Sequence, residues 1–190
     1  LRGLMQPFTP LLLSWFGKAE LKTLHAAEWC GGLVPLRGRA LMCGFYLNEL
    51  LLRLTARDDP HDALYAHYFE ALARLGEADD FERVLRRFEK RLLAEIGYGA
   101  GFERDCETGE ALDPGARYVY QPERGASRAR GQDGFAVAGR TLLDLAAERF
   151  DDPRTLAESK ALMRGLINHV LGGQPLYTRQ LLRDLTGLAP

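Results

Sequence analysis

The chain has few of the residues that would staple a small fold covalently or carry it into a membrane. Its three cysteines, Cys30, Cys43 and Cys106, lie far apart, and no two stand at metal-ligand spacing. An odd, sparse set of thiols gives no disulfide framework and fits a reducing cytoplasm. No stretch approaches the roughly 18 apolar residues of a membrane span, and no signal-peptide pattern is present. Lysine occurs only at positions 18, 22, 90 and 160, so arginine carries almost all of the positive charge. The net charge of -1 excludes a global polybasic signature, and any contact with DNA has to come from local patches. Catalytic signatures are missing as well: there is no G-x-S-x-G elbow, no P-loop and no H-E-x-x-H. The glycines of Gly97-Tyr98-Gly99-Ala100-Gly101 follow a helical pattern rather than a strand, which removes a dinucleotide loop. His61 and His67 are six apart with no third ligand nearby. These absences predict a non-enzymatic binding protein with no catalytic residue, no cofactor and no metal.

What remains has the composition of an ordinary globular protein. Of 190 residues, 46% are hydrophobic and 27% charged, enough for one large domain or a small one with an appendage. Residues 1–30 differ in texture from the rest. Leu11 to Phe16 is a short apolar run between Pro10 and Gly17 and reads as a strand. Gly17 to Glu20 is a turn candidate, and Leu21 to Trp29 returns as the partner strand. Two strands are not stable alone, so the hairpin either packs on a helical domain or ends a barrel. The chain opens on Leu1 rather than Met, inside strand-rich material, and its natural start is expected upstream.

Gly31-Gly32, followed by Pro35, marks the change to a helical period. Helices are predicted over Arg39–Leu54, His61–Leu75, Thr141–Arg149 and Pro153–Leu171, with a short closing one over Thr178–Thr186. Asp58-Asp59-Pro60 offers an N-cap and a helix-opening proline. Tyr118-Val119-Tyr120 and Phe135-Ala136-Val137 read as strands of a β-excursion, with Arg124, Arg128 and Arg130 on its loop. The stretch everything else is arranged around is Asp79 to Phe102. Asp79 and Glu82 form a capping box, and Leu85, Phe88, Leu92 and Ile96 recur at helical spacing as a buried face. Arg83, Arg86, Arg87 and Lys90 make a cationic strip on the other side, for which the plain expectation is a solvated face. Gly97 and Gly99 stop the helix.

Several stretches resemble the RecO family of recombination mediators. Gln6 to Leu13 (QPFTPLLL) and Glu20 to Leu24 (ELKTL) are similar to the end of that family's N-terminal barrel. Tyr46 to Leu51 (YLNELL), Leu85 to Glu89 (LRRFE) and Leu92 to Gly99 (LLAEIGYG) are similar to its helical domain. Leu171 to Arg179 (LGGQPLYTR) resembles its closing Leu-Gly-Gly-Lys-Pro-Leu-Lys-Ser-Arg. The matches are collinear over essentially the whole chain. The resemblance implies a mainly α fold: residues 1–30 as the last strands of an OB-fold barrel, and residues 31–190 as a helical domain with a β-insert near 101–137. It also implies a bacterial, cytoplasmic, nucleoid-associated protein. Its expected partners are single- and double-stranded DNA, the C-terminal tail of single-stranded-DNA-binding protein, and RecR; it is expected to promote strand annealing and, with RecR, to help load RecA. No membrane is expected among the partners. The alternative is a helical scaffold that binds only proteins. Some family members carry a four-cysteine zinc site beginning Cys-x-x-Cys; this chain reads Cys106-Glu107-Thr108-Gly109, so packing and hydrogen bonds are expected to hold the insert instead.

Two sites follow from these readings. A tail ending in acidic residues and phenylalanine needs a cation for its terminal carboxylate and an apolar pocket for its ring. Arginine meets a carboxylate with two parallel hydrogen bonds. Arg86 is the expected carboxylate contact, with Arg87 and Lys90 as supporting positive field. Lys18 and Lys22 flank the turn of the hairpin, and such turns border the nucleic-acid groove of OB folds, so they are the expected DNA contacts.

Overall fold

Helical punctuation and two short β-rich stretches predict a run of helices interrupted by a small sheet. The computed structural model, which describes residues 3–57, 59–77, 80–99, 101–129 and 133–181, has that order. Strands β1 (Leu11–Phe16) and β2 (Thr23–Trp29) pair antiparallel, with the register slipping between Ser14 and Trp15. Helices α1 (Gly38–Leu54), α2 (Asp62–Glu77) and α3 (Phe81–Glu95) follow. A three-stranded antiparallel sheet of β3 (Arg117–Gln121), β4 (Gly125–Arg128) and β5 (Phe135–Ala138) has the order β4-β3-β5. Helices α4 (Gly139–Ala146) and α5 (Pro153–Val170) complete the named elements. The closing helix begins at 177 and is described to 181; the rest of the stretch predicted to Thr186 lies outside the described residues. No helix among the described residues is long and apolar enough to cross a membrane.

The core is one cluster built from the apolar stripes of α1, α2, α3 and α5 together with the β-insert. Leu47 and Leu50 of α1, Phe88 and Leu92 of α3, and Met163, Leu166 and Ile167 of α5 are all shut off from solvent. Helix starts follow the expected chemistry with one shift. Asp152 caps α5 ahead of Pro153, accepting a hydrogen bond from Arg154 N at 3.0 Å. On α3 the cap is Asp80 rather than Asp79, with its carboxylate accepting from Arg83 N at 3.3 Å. Asp79 lies outside the described residues, and Glu82 is drawn away from a capping box to Lys160, 2.5 Å distant on α5.

The hairpin is anchored through Phe8, whose ring meets Phe45 of α1 edge-on at 5.2 Å. Gly44 makes that approach possible, because a Cβ there would stand 2.9 Å from the Phe8 ring. Leu12, Trp15, Phe16 and Trp29 are left exposed on the two strands.

The β-insert departs from expectation at Gly125–Arg128, read from the sequence as loop and found as strand β4. Its Gly-Ala-Ser-Arg composition has poor strand propensity, and pairing with β3 overrides that preference. Arg128 therefore sits on a strand, Arg124 in the turn before it, and Arg130 outside the described residues. Asp105 holds the turn that opens the insert. Its buried carboxylate accepts from Glu107 N at 2.9 Å, Thr108 N at 3.3 Å and, across the sheet, Arg128 N at 3.1 Å. Cys106 beside it is exposed. Phe102 stacks on Tyr120 at 5.1 Å, and Phe135 of β5 lies against Gly165 of α5.

Gly165 gives a direct check on that packing. Alanine in mid-helix is favoured over glycine by about 1 kcal/mol. An added Cβ at Gly165, however, would overlap the Phe135 ring, and overpacking costs about 1–3 kcal/mol. The overlap should win: Gly165→Ala lowers stability in urea denaturation, and Gly165→Ala with Phe135→Leu recovers it.

Candidate functional site

Helix α3 carries two different cationic faces: that of Arg87 and Arg91 borders a pocket of about 10 Å³, and that of Arg86 opens onto a far roomier cavity. The cavity, about 400 Å³, lies between α1, α3, α5 and the closing segment. Cys43 and Tyr46 come from α1, Leu85 and Arg86 from α3, Lys160 and Arg164 from α5, and Arg179 from the segment after the Gly172-Gly173 stop. Four of these side chains are cations and none is an anion. Lys160 pairs with Glu82 and Arg86 with Glu89, both carboxylates standing outside the lining.

Arg86 is 6% exposed and donates from Nη2 to Glu89 Oε1 at 2.6 Å. The same oxygen accepts the Tyr46 hydroxyl at 2.6 Å, and that hydroxyl accepts from Arg179 Nη2 at 3.0 Å. Arg179 also lies over the Tyr46 ring at 5.4 Å, so the network spans the cavity from α3 to the chain's last described turn. Burial, and then the neighbouring Glu89 carboxylate, push the Tyr46 hydroxyl well above its ordinary pKa, so it stays a donor. Burial likewise raises the Cys43 thiol, against the pull of Arg39 and Arg86, and keeps it neutral. Two buried polar atoms in the network have no hydrogen-bond partner: Arg86 Nε and Glu89 Oε2. A buried guanidinium with an unused N–H is a donor in want of an acceptor, which a carboxylate can supply. Arg164 is exposed and makes no ion pair among the described residues. Tyr46, Leu85 and Cys43 supply the apolar wall beside these cations.

Arg87 and Lys90, grouped with Arg86 in the sequence reading, point elsewhere. Arg87 Nε meets Glu148 Oε2 at 3.0 Å, and Lys90 Nζ meets Glu148 Oε1 at 3.4 Å. Lys90 also donates to Ala146 O at 2.7 Å, at the end of α4. Arg91 adds a two-pronged contact to Glu148 at 2.9 and 2.8 Å and reaches Glu70 of α2 at 2.7 Å. Arg87 and Arg91, like charges four residues apart on one helix, thus share one carboxylate. Glu148 is placed for this by a left-handed backbone, φ +53, unusual for a residue other than glycine. Neither this face nor the cavity face is the solvated strip expected of α3.

Lys18 and Lys22 are exposed at the tip of the hairpin, where Lys22 Nζ donates to Gly17 O at 3.3 Å. His61 pairs with Glu95 at 3.2 Å and His67 lies beside Arg91 at 3.1 Å, each in a polar contact between helices. Lys160, Arg164 and Arg179 were not singled out from the sequence. The only local signal is the four-residue spacing of Lys160 and Arg164 on α5.

A family model described as "Recombination protein O C terminal" matches residues 36–180. A protein named DNA repair protein RecO from Thiobacillus denitrificans is 67% identical over all of this chain, which covers 77% of that relative. Proteins of the same name from Nitrosospira multiformis and Aromatoleum aromaticum are 50% and 52% identical over 99% of the chain, each covered to 79%.

The Glu148 clamp should be structural. Burial alone would raise its carboxyl, but Arg91 and Lys90 outweigh that and hold it below the usual range. Folding therefore weakens proton binding, and the clamp's contribution is complete above the unfolded carboxylate pKa of about 4.3. It is lost as pH falls through the lower folded value. Glu148→Gln should cost about 2–3 kcal/mol near neutrality by taking the shared counter-charge from Arg87 and Lys90 and leaving Arg91 with Glu70. Urea melts at pH 7 and pH 3 should show the variant's deficit shrinking with acid.

Proposed function

Since the chain belongs to the RecO family of DNA repair and recombination proteins, we propose that it acts as a recombination mediator that captures the C-terminal tail of single-stranded-DNA-binding protein in the cavity between α1, α3 and α5. On this reading it binds DNA through the hairpin, promotes annealing, and works with RecR to load RecA. Residues 1–30 are read as the end of an OB-fold domain and 31–190 as the helical domain. The exposed Leu12, Trp15, Phe16 and Trp29 support that division, since a finished two-stranded element would not leave them bare.

The observation that carries the tail reading is the pairing of an apolar wall with a buried, incompletely used arginine. The buried Arg86 Nε has no hydrogen-bond partner among the described residues, and Arg86 lines a cavity whose other cations are Lys160, Arg164 and Arg179. A terminal carboxylate would complete Arg86, a phenyl ring would rest on Tyr46 and Leu85, and upstream acids would meet the α5 cations. Arg87 and Lys90 act here only as distant positive field. A protein-only scaffold would share this cavity, and the DNA measurement below separates the two.

Arg86→Ala strips the buried Glu89 of its cation and costs about 3–5 kcal/mol of stability besides any affinity. Arg164 is exposed and makes no ion pair among the described residues, so Arg164→Ala should weaken a labelled tail peptide about tenfold and leave the melting curve alone. Amidating the peptide's terminus should cost the wild type a similar factor, while Arg87→Ala changes affinity by less than about twofold. Equal binding by wild type and Arg164→Glu moves the tail to another surface.

For DNA, Lys18→Ala with Lys22→Ala should weaken binding and flatten its salt dependence by about two counterions. Filter binding across a salt series reads both. An unchanged slope removes the hairpin tip from the interface and favours the protein-only scaffold.

A further inference from the structure

Arg179 reaches the cavity from a segment that begins after two glycines, so something has to fix that segment before the cationic wall exists. The fixing contacts converge on one side chain of α1. Glu49 Oε1 accepts from Tyr177 N at 2.8 Å, and Glu49 Oε2 accepts from Thr178 N at 2.9 Å and Thr178 Oγ1 at 2.6 Å. Its side chain is 12% exposed. Arg53, one turn further along α1, braces the same segment by donating to Pro175 O at 2.9 Å and lying over the Tyr177 ring at 4.8 Å. The next residue, Arg179, then meets Tyr46 and reaches Asn168 at 3.3 Å. Tyr46 and Glu49 are three residues apart and so share a face of α1. One face therefore carries both the grip on the segment and the ring that Arg179 covers.

We propose that Glu49 is a positioning residue for the cavity: by gripping Tyr177 and Thr178 it sets Arg179 against Tyr46 and completes the wall that receives an anionic peptide terminus. This rests on the tail reading above. A carboxylate suits the task because both oxygens accept, and three donors at the start of a helical turn need acceptors. Hydrogen bonds from Thr178 and Tyr177, together with Arg53, offset the burial of Glu49 and hold its carboxyl below the ordinary range, so the grip stays charged near neutrality. Glutamine keeps the shape but offers one accepting oxygen and turns a donor toward amides that also donate.

The test is a double-mutant cycle on the intact chain, read by titration with the labelled tail peptide, with circular dichroism confirming each fold. Glu49→Gln and Arg179→Ala should each weaken binding about tenfold, and the double variant should be no weaker than either. Arg164→Ala, acting from α5, should instead add its full loss to Glu49→Gln. Thr178→Val, which removes one of the three donors, should give a smaller loss and serves if Glu49→Gln folds poorly. Losses that add between Glu49 and Arg179, or an unchanged affinity in Glu49→Gln, overturn the proposal. Should the wild type not bind the peptide, the tail reading falls, and maleimide labelling of Cys43, followed by mass spectrometry, decides the positioning alone. Faster labelling in Glu49→Gln upholds it, and equal rates overturn it.

Discussion

A charge pair inside the helical core constrains everything around it. Arg86 and Glu89 occupy α3 positions that leucines could fill, and removing two charges from water costs several kcal/mol per ion before any attraction is counted. The pair persists because Tyr46 donates to the same Glu89 oxygen and Arg179 donates to Tyr46, drawing α1, α3 and the closing segment into one network. That network is unfinished. Hydrophobic residues of equal volume would pack this space at lower cost, so an open cationic cavity with an unused donor reads as a binding feature rather than a stabilising one.

The opposite side of α3 solves a different problem with the same residue type. Three cations converge on Glu148, whose strained backbone is held by those contacts and by the end of α4. Such strain persists only where the surroundings over-determine it. The helix is thereby fixed in rotation: Arg87, Lys90 and Arg91 lock one side, and Arg86 has to face the cavity. The function proposed for one face thus depends on structure on the other.

The β-insert shows how a small, irregular element is kept in place with its lone cysteine exposed. Asp105 serves as a hub for three backbone amides, tying the opening turn to β4, while Phe102, Tyr120 and Phe135 connect the sheet to the helices. A carboxylate with several amide donors is a strong local tie. It fixes the sheet, which in turn fixes Gly165 and the pitch of α5, and hence where Lys160 and Arg164 emerge.

The sequence by itself determined the described helices, and their limits to within two or three residues, because 3.6-residue periodicity, caps and glycine stops are local chemistry. It also exposed the family likeness, since the stretches from Tyr46 to Leu51 and from Leu171 to Arg179 are legible as order along a chain. It proposed Arg86 only through what that likeness implies, a cation for the carboxylate of a peptide tail. Tertiary structure alone decided the rest. Adjacent Arg86 and Arg87 project about 100° apart, and no local pattern says which finds a carboxylate and which a cavity. Glu148, Glu49 and Arg179 lie dozens of residues from the groups they contact, and strand β4 forms only because β3 pairs with it. Ion pairs and pocket walls are made by groups whose separation along the chain carries no information about their separation in space. Residue pattern therefore fixed the elements here, and packing chose among their charges.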